Sequence, residues 1–250
     1  MGKHMKFVKM IAVCVMIATG PAYAAGNVEL EKSEIDPGNV NSLQRGARNF
    51  MNYCSGCHSA KYVRYKTIGD ALGLSEQQLI DNLMFNAEKT FETINISMRR
   101  EDSERWFGVI PPDMSLIARS KGSDYIYSFL KSFYVDPDSP TGVDNRVLQG
   151  TAMPHVLWEL QGFQRAVFSE HEEESGSISL HFEGYETISA GSMDDDDYEE
   201  FVRDTTNFLA YIGEPIRSDR RKLGVWVLMF LIFFWIIASM LKKQIWKDVK

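Results

Sequence analysis

Apolar residues recur at helical spacing in several stretches of this 250-residue chain, and one further stretch is apolar throughout. Leu43, Ala47, Phe50 and Met51 mark one face of a helix that Asn41 or Ser42 can cap and that runs to about Tyr53. Ser75-Glu76-Gln77-Gln78 reads as a capping box, opening a second helix that buries Leu79, Ile80 and Leu83. Tyr125, Ile126, Phe129, Leu130 and Phe133 predict a third, from Ser123 or Asp124 through Phe133. Tyr198, Phe201, Val202, Thr205, Phe208, Leu209 and Ile212 share a face of a fourth, from about Asp194 to Ile212, which Pro215 ends. Between these, Pro37-Gly38 marks a turn and Pro111-Pro112 forces an extended break. Pro137 to Gly162 has turn residues and little periodicity, which predicts a long loop. Gly176 to Tyr185 alternates weakly through Ile178, Leu180 and Phe182 and predicts a hairpin strand.

The continuous apolar run, 223–241, carries no charge and is long enough for one transmembrane helix. A buried core helix is the alternative, but so complete a lack of charge favours membrane lipid as its surroundings. Arg217, Arg220, Arg221 and Lys222 flank it on one side, in a basic juxtamembrane segment over 217–222. Lys242, Lys243 and Lys247 flank it on the other, in the tail 242–250. Trp226, Trp235 and Trp246 add aromatic character, Trp246 nearest an interface.

Basic flanks on both sides do not fix an orientation; the other end of the chain does. Lys3, Lys6 and Lys9, the apolar run from Met10 to Thr19 and Ala22-Tyr23-Ala24 form a secretory signal pattern over 1–24. Its apolar part is too short to span a bilayer, which disfavours an uncleaved anchor. The body 25–216 is then exported and the tail stays in the cytoplasm. Cys14 leaves with the signal.

Charge is divided unevenly. The chain has 27 basic and 34 acidic residues; setting aside three basic residues in 1–24, and eight basic and two acidic in 217–250, leaves 16 against 32. A body so acidic argues against nucleic acid and suits a cationic protein partner. General solubility explains the same surface equally well. The clusters Glu170 to Glu174 and Asp194 to Glu200 read either as a docking field or as solvated polar surface, and Asp194 to Asp197 suits a helix N-terminus.

The distinctive chemistry lies in Cys54-Ser55-Gly56-Cys57-His58. Two cysteines at this spacing match the two vinyl groups of a haem, and the adjacent histidine falls under the iron as an axial ligand. A thioredoxin-like pair would want a βαβ setting and would not need the histidine. Once Cys14 is lost, thioether bonds consume every thiol, leaving none for a disulfide framework or a four-ligand zinc site.

An electron carrier also fills the sixth position. Met84, Met98, Met114, Met153 and Met193 are available. Met84 and Met114 suit core packing, and Met193 lies in an acidic surface stretch. Met153, in a loop with Pro154 fixing the backbone beside it, can present sulfur without distorting a helix. His155 is the rival ligand, or simply a loop histidine; His171 and His181 lie in polar surroundings.

Over almost its whole mature length the chain resembles the cytochrome c1 family. The segments CSGCHSAKYVRY, WFGVIPPDMSLIARSKGSDYIYSFLKSFYVDP and AMPHVLWELQG, followed by one C-terminal apolar helix, carry the resemblance. It implies a mostly α fold: a class I cytochrome c-like haem domain with long loop insertions plus one C-terminal transmembrane helix. It implies haem c on Cys54 and Cys57, iron held by His58 and Met153, and Pro111 and Pro112 packed nearby. Arg119, Lys121 and Tyr125 would lie by the propionates, although lysine at 121, where many members have arginine, weakens a bidentate contact. His155 stands where mitochondrial members have a second proline, a departure that bacterial members share. The implied partners are a cytochrome b subunit, the Rieske iron–sulfur protein and a cytochrome c acceptor, in a dimeric quinol–cytochrome c reductase of a bacterial inner membrane. The implied work is electron relay with no acid–base chemistry. A tethered carrier cytochrome outside that complex, and a haem sensor or peroxidase with an open sixth site, are the alternatives.

Overall fold

The computed structural model describes residues 28–172 and 178–248. The signal pattern with Cys14, and Glu173, Glu174 and Gly176, lie outside the described residues.

The first helix, α1 (Val40–Asn49), begins earlier than its pattern suggested. Asn39 is the cap: its side chain accepts from the Ser42 backbone at 3.2 Å. At Phe50 the helix widens into a π turn, Phe50–Cys54, closed by the Ser55 N–H donating to Phe50 O at 2.9 Å. A strand, β1 (Ala60–Arg64), and a short helix, α2 (Tyr65–Leu72), follow. The next helix, α3 (Glu76–Leu83), opens on Ser75 with both halves of the capping box formed. It buries Leu79 and Leu83, but Ile80 is 40% exposed, because the helix is covered on one narrow stripe only. Further along come β2 (Thr93–Ile94), antiparallel to β1, and the helices α4 (Arg100–Phe107) and α5 (Ile117–Ser120).

The third expected helix, α6 (Ser123–Lys131), stops two residues short. Phe133 belongs instead to β3 (Phe133–Val135), which pairs antiparallel with β4 (Val143–Asn145) inside the stretch expected to be loop. That stretch ends in a single turn, α7 (Trp158–Gln161). The expected strand is one arm of a long antiparallel hairpin, β5 (Gly162–Glu172) with β6 (Ile178–Ala190). Gly162 has φ +85° at its base, where a Cβ would meet Ser189 O at 2.1 Å, so only glycine lets the hairpin close there.

The last two helices are α8 (Asp195–Gly213) and α9 (Arg217–Ile245). Asp194 caps α8 by accepting from the Asp197 N–H at 2.9 Å, with Asp195 to Asp197 in its positive first turn. The main core lies where α8 crosses α1, with Phe50 and Phe208 in ring contact at 5.8 Å. A polar seam runs through it. The nearly buried Asp204 carboxylate accepts from Ser42 Oγ at 2.6 Å and pairs with the Arg45 guanidinium, and Asn49 Nδ2 donates to Phe201 O at 3.2 Å. The N-terminal segment is tied down by Ser33, whose N–H and hydroxyl both donate to Asp124, and by Glu31, which shares Lys131 with Glu199. The final helix holds, within Asp219–Ile245, an 18-residue window of mean hydropathy 2.5 and leaves Trp226 and Trp235 exposed, so it is long and apolar enough to cross a membrane.

Candidate haem site

The π turn delivers the chain from the core into the cysteine motif. Cys57 N–H and His58 N–H both donate to Cys54 O, at 3.0 and 2.8 Å, so Cys54, Cys57 and His58 share one tight turn. Both thiols are free. Burial pushes the Cys54 thiol up to about 12 and raises that of Cys57 as well. A disulfide oxidoreductase needs the opposite, a lowered thiol pKa. Among the described residues no cluster of three or more His, Cys, Asp or Glu could hold a metal ion.

His58 Nδ1 lies 2.8 Å from Pro112 O. A carbonyl can only accept, so Nδ1 carries the proton and Nε2 keeps its lone pair for a metal. Burial holds the ring pKa below its ordinary value, against the Pro112 bond and Asp113, which favours the neutral ligand form.

Asp113, which sequence reasoning passed over, stitches this contact in place. Its carboxylate accepts from Ser59 Oγ at 2.7 Å, Lys61 N–H at 2.9 Å and Ser115 N–H at 3.0 Å. Burial works against its ionisation, but these bonds outweigh it and hold the carboxyl below the usual range. Met114 N–H donates back to Ser59 O at 2.7 Å. The available signal was an aspartate directly after two prolines, which lack N–H groups of their own.

The tethered segment also carries exposed apolar side chains. Val109, Ile110 and Leu116 lie on either side of Pro111-Pro112 in the chain and are exposed. Two free thiols on one turn and an imidazole with Nε2 available fit a covalently bound haem.

The remaining expected residues come from other segments. Met153 lies in the loop after β4, half-buried, with its N–H near Thr151 Oγ1 at 3.4 Å. That loop is pinned by the fully buried Asn145: Nδ2 donates to Phe129 O at 2.8 Å, and Oδ1 accepts from the Val147 and Leu148 backbones. Met84 is buried in the core, and Met114 and Met193 pack on it; Met193 is thus less exposed than its acidic setting suggested. Lys121 Nζ lies over the Tyr125 ring at 5.5 Å, while Arg119 is exposed on the preceding turn. His155 is no open loop histidine but 6% exposed, and His181 faces solvent beside Glu183; the His171 side chain lies outside the described residues. Burial pushes the His155 pKa down to about 4, so its ring is neutral.

A family model, the Cytochrome C1 family, matches residues 34–162 and 180–249. The chain belongs to the cytochrome c1 family. It is similar to cytochrome c1 of Allochromatium vinosum, 42% identical over 96% of this chain and 98% of that one. It is also similar to a protein of Nitrosomonas europaea named ammonia monooxygenase gamma subunit, 36% identical over 98% of this chain and all of that one. The mitochondrial cytochrome c1 heme protein of Neurospora crassa is 24% identical over 84% of this chain and 63% of its own length. The family match skips 163–179, most of β5 and the start of β6, so the hairpin is where this chain departs from the family pattern.

Proposed function

We propose that the chain works as the membrane-anchored electron-transfer subunit of the cytochrome bc1 complex, with cytochrome b and the Rieske protein. It takes electrons from the Rieske protein. Haem c, bound through the cysteine pair, supplies a one-electron couple. The observation that carries this reading is the His58 to Pro112 bond, which prepares one nitrogen of an otherwise neutral imidazole for iron. Cys54 and Cys57 would hold the haem through thioethers, and His58 and Met153 would ligate its iron. Thioether sulfur favours the reduced metal and raises the potential, which suits delivery to a cytochrome c acceptor. Pro111 and Pro112 would pack near the haem, and Arg119, Lys121 and Tyr125 would offer positive charge and a hydroxyl to its propionates.

The haem domain, 25–216, faces the periplasm, and the complex sits in the bacterial inner membrane as a dimer. The export pattern in 1–24 supports this side. At about 1.5 Å per residue, the 29 residues of α9 extend about 43 Å, longer than the ~30 Å hydrocarbon core. Its basic ends, Arg217–Lys222 and Lys242–Lys243 with Lys247 just beyond, therefore reach the headgroups on both sides.

The test is Met153→Ala in the purified membrane complex. The expected result is an unchanged content of covalent haem, loss of the methionine–iron absorption band at the red end of the spectrum and a lower midpoint potential. The reduced variant should also bind carbon monoxide. An unaltered band and potential would remove Met153 as ligand. Purification with a b-type haem and an iron–sulfur centre supports the complex assigned; purification with an ammonia-oxidising enzyme in their place would overturn it.

A further inference from the structure

His155 follows Met153-Pro154 and is deeply buried, yet neither ring nitrogen makes a full hydrogen bond, the Gly162 backbone offering only a weak contact. Its neighbours are aromatic. The ring lies parallel to Phe133, with centroids 5.1 Å apart and planes within 8°, and meets Phe163 edge-on at 6.3 Å and 78°. Both neighbours continue the series. Phe133 meets Phe129 at 5.1 Å, Phe129 stacks on Tyr125 at 6.2 Å, and Phe163 stacks on Trp158 at 5.6 Å. Six rings thus run unbroken from α6 through β3 and the methionine loop to the base of the hairpin.

With no full hydrogen bond at either nitrogen, the buried imidazole is held chiefly by its ring contacts. What the position uses is a flat face of the right size. The upstream anchors hold Leu148 and Gly150, the latter by its N–H donating to Asp144 Oδ1 at 2.8 Å, and the Met153 N–H bond is long at 3.4 Å, so a ring at 155 supplies the hold on the other side of the sulfur. Downstream, Pro154 restricts the backbone between sulfur and ring, so a ring fixed at 155 fixes the direction of residue 153.

We infer that His155 is a positioning residue for the Met153 sulfur, acting through its ring stack between Phe133 and Phe163 and not through ligation or a hydrogen bond. The inference rests on the reading of Met153 as axial ligand. It extends that reading by making the ligand loop depend on the hairpin base, the region where this chain leaves the family pattern.

The test compares His155→Ala and His155→Phe in the purified complex, with covalent haem content as the check that each variant assembles. H155A should lose most of the methionine–iron band, lower the midpoint potential and admit carbon monoxide to the reduced form. H155F, which restores a flat apolar ring, should recover all three. Should H155A not accumulate, His155→Leu fills the volume without a flat face and should weaken the band in the same way. A full band with no carbon monoxide binding in H155A, or in H155L in its place, overturns the inference, as does an equal loss in H155F, which would mean that a ring nitrogen is needed. If the unsubstituted protein shows no methionine–iron band, the Met153 assignment itself fails and this inference falls with it; a normal wild-type band places the failure in His155 alone.

Discussion

Gly46→Ala tests whether the haem-bearing helix depends on its contact with α8. A Cβ at Gly46 would lie 2.1 Å from Asp204 O and 2.7 Å from Phe208 Cβ, whereas real Cβ contacts stay beyond 3.0 Å. The nearest obstacle is a helix carbonyl, which cannot rotate aside, so the helices must part. Overpacking of this kind costs about 1–3 kcal/mol. Parting also stretches the bonds from Ser42 and Arg45 to a buried carboxylate, adding about 1–2 kcal/mol. Alanine returns about 1 kcal/mol of helix propensity, leaving a net loss of about 1–4 kcal/mol. For a chain of this size each kcal/mol shifts Tm by about 2–4 °C, so the midpoint should fall by roughly 2–16 °C. The assay is thermal unfolding of the haem-loaded, detergent-solubilised chain, followed by circular dichroism. Gly69→Ala is the internal control. There the nearest atom is Leu79 Cδ2 at 2.9 Å, the movable end of a side chain, and the change should stay within about 1 kcal/mol. The reasoning is refuted if G46A melts with wild type, or if G69A is as damaging.

Further outcomes follow from the polar anchors. Asp124 is held below the usual carboxylate range, chiefly by the Ser33 N–H and also by Lys32 and the Ser33 hydroxyl, with burial opposing. A lowered folded pKa means that the unfolded chain takes up the proton first as pH falls, so this stabilisation is full above the ordinary carboxylate value and is lost progressively as pH falls from there through the folded pKa. Asp124→Asn should therefore destabilise by about 1–2 kcal/mol at neutral pH, and much less near pH 3; urea unfolding at both values checks the sign, and an equal loss at both contradicts it. Asn145→Ala removes one donor and an acceptor of two backbone bonds at a fully buried site. It should cost about 2–3 kcal/mol and raise carbon monoxide binding by the reduced protein, and a stable variant that still excludes the gas would free the loop from Asn145.

The site was more legible in the sequence than the sheets. Cys54 to His58 is a local code whose spacing is set by the cofactor, and Ser75 and Asp194 announce helix starts through their own side chains. The Phe129 to Phe133 spacing looked helical throughout, but the choice between helix and strand at Phe133 is made by its partner across β4, which lies 12 residues away at Asn145. The hairpin was half seen because its side chains are largely exposed, Val167 and Ile188 among them, and a strand without a buried face alternates only faintly. Asp113 and His155 were missed or undervalued for a common reason. Each acts through contacts made by folding, with the β1 segment in one case and with two separate strands in the other, and no local pattern records those.

The π turn at Phe50–Cys54 sets the angular phase between the core and the cofactor. Each residue of a helix turns it by about 100°, so the wide turn gives the cysteines an orientation that a regular continuation of α1 would not. Core and motif are keyed like two gears on one shaft. A single insertion or deletion between Ala47 and Cys54 would swing His58 away from Pro112 while leaving every residue of the motif intact. Length variation is therefore barred here and permitted at the hairpin, where the family match breaks off and the chain can lengthen or shorten without turning the haem.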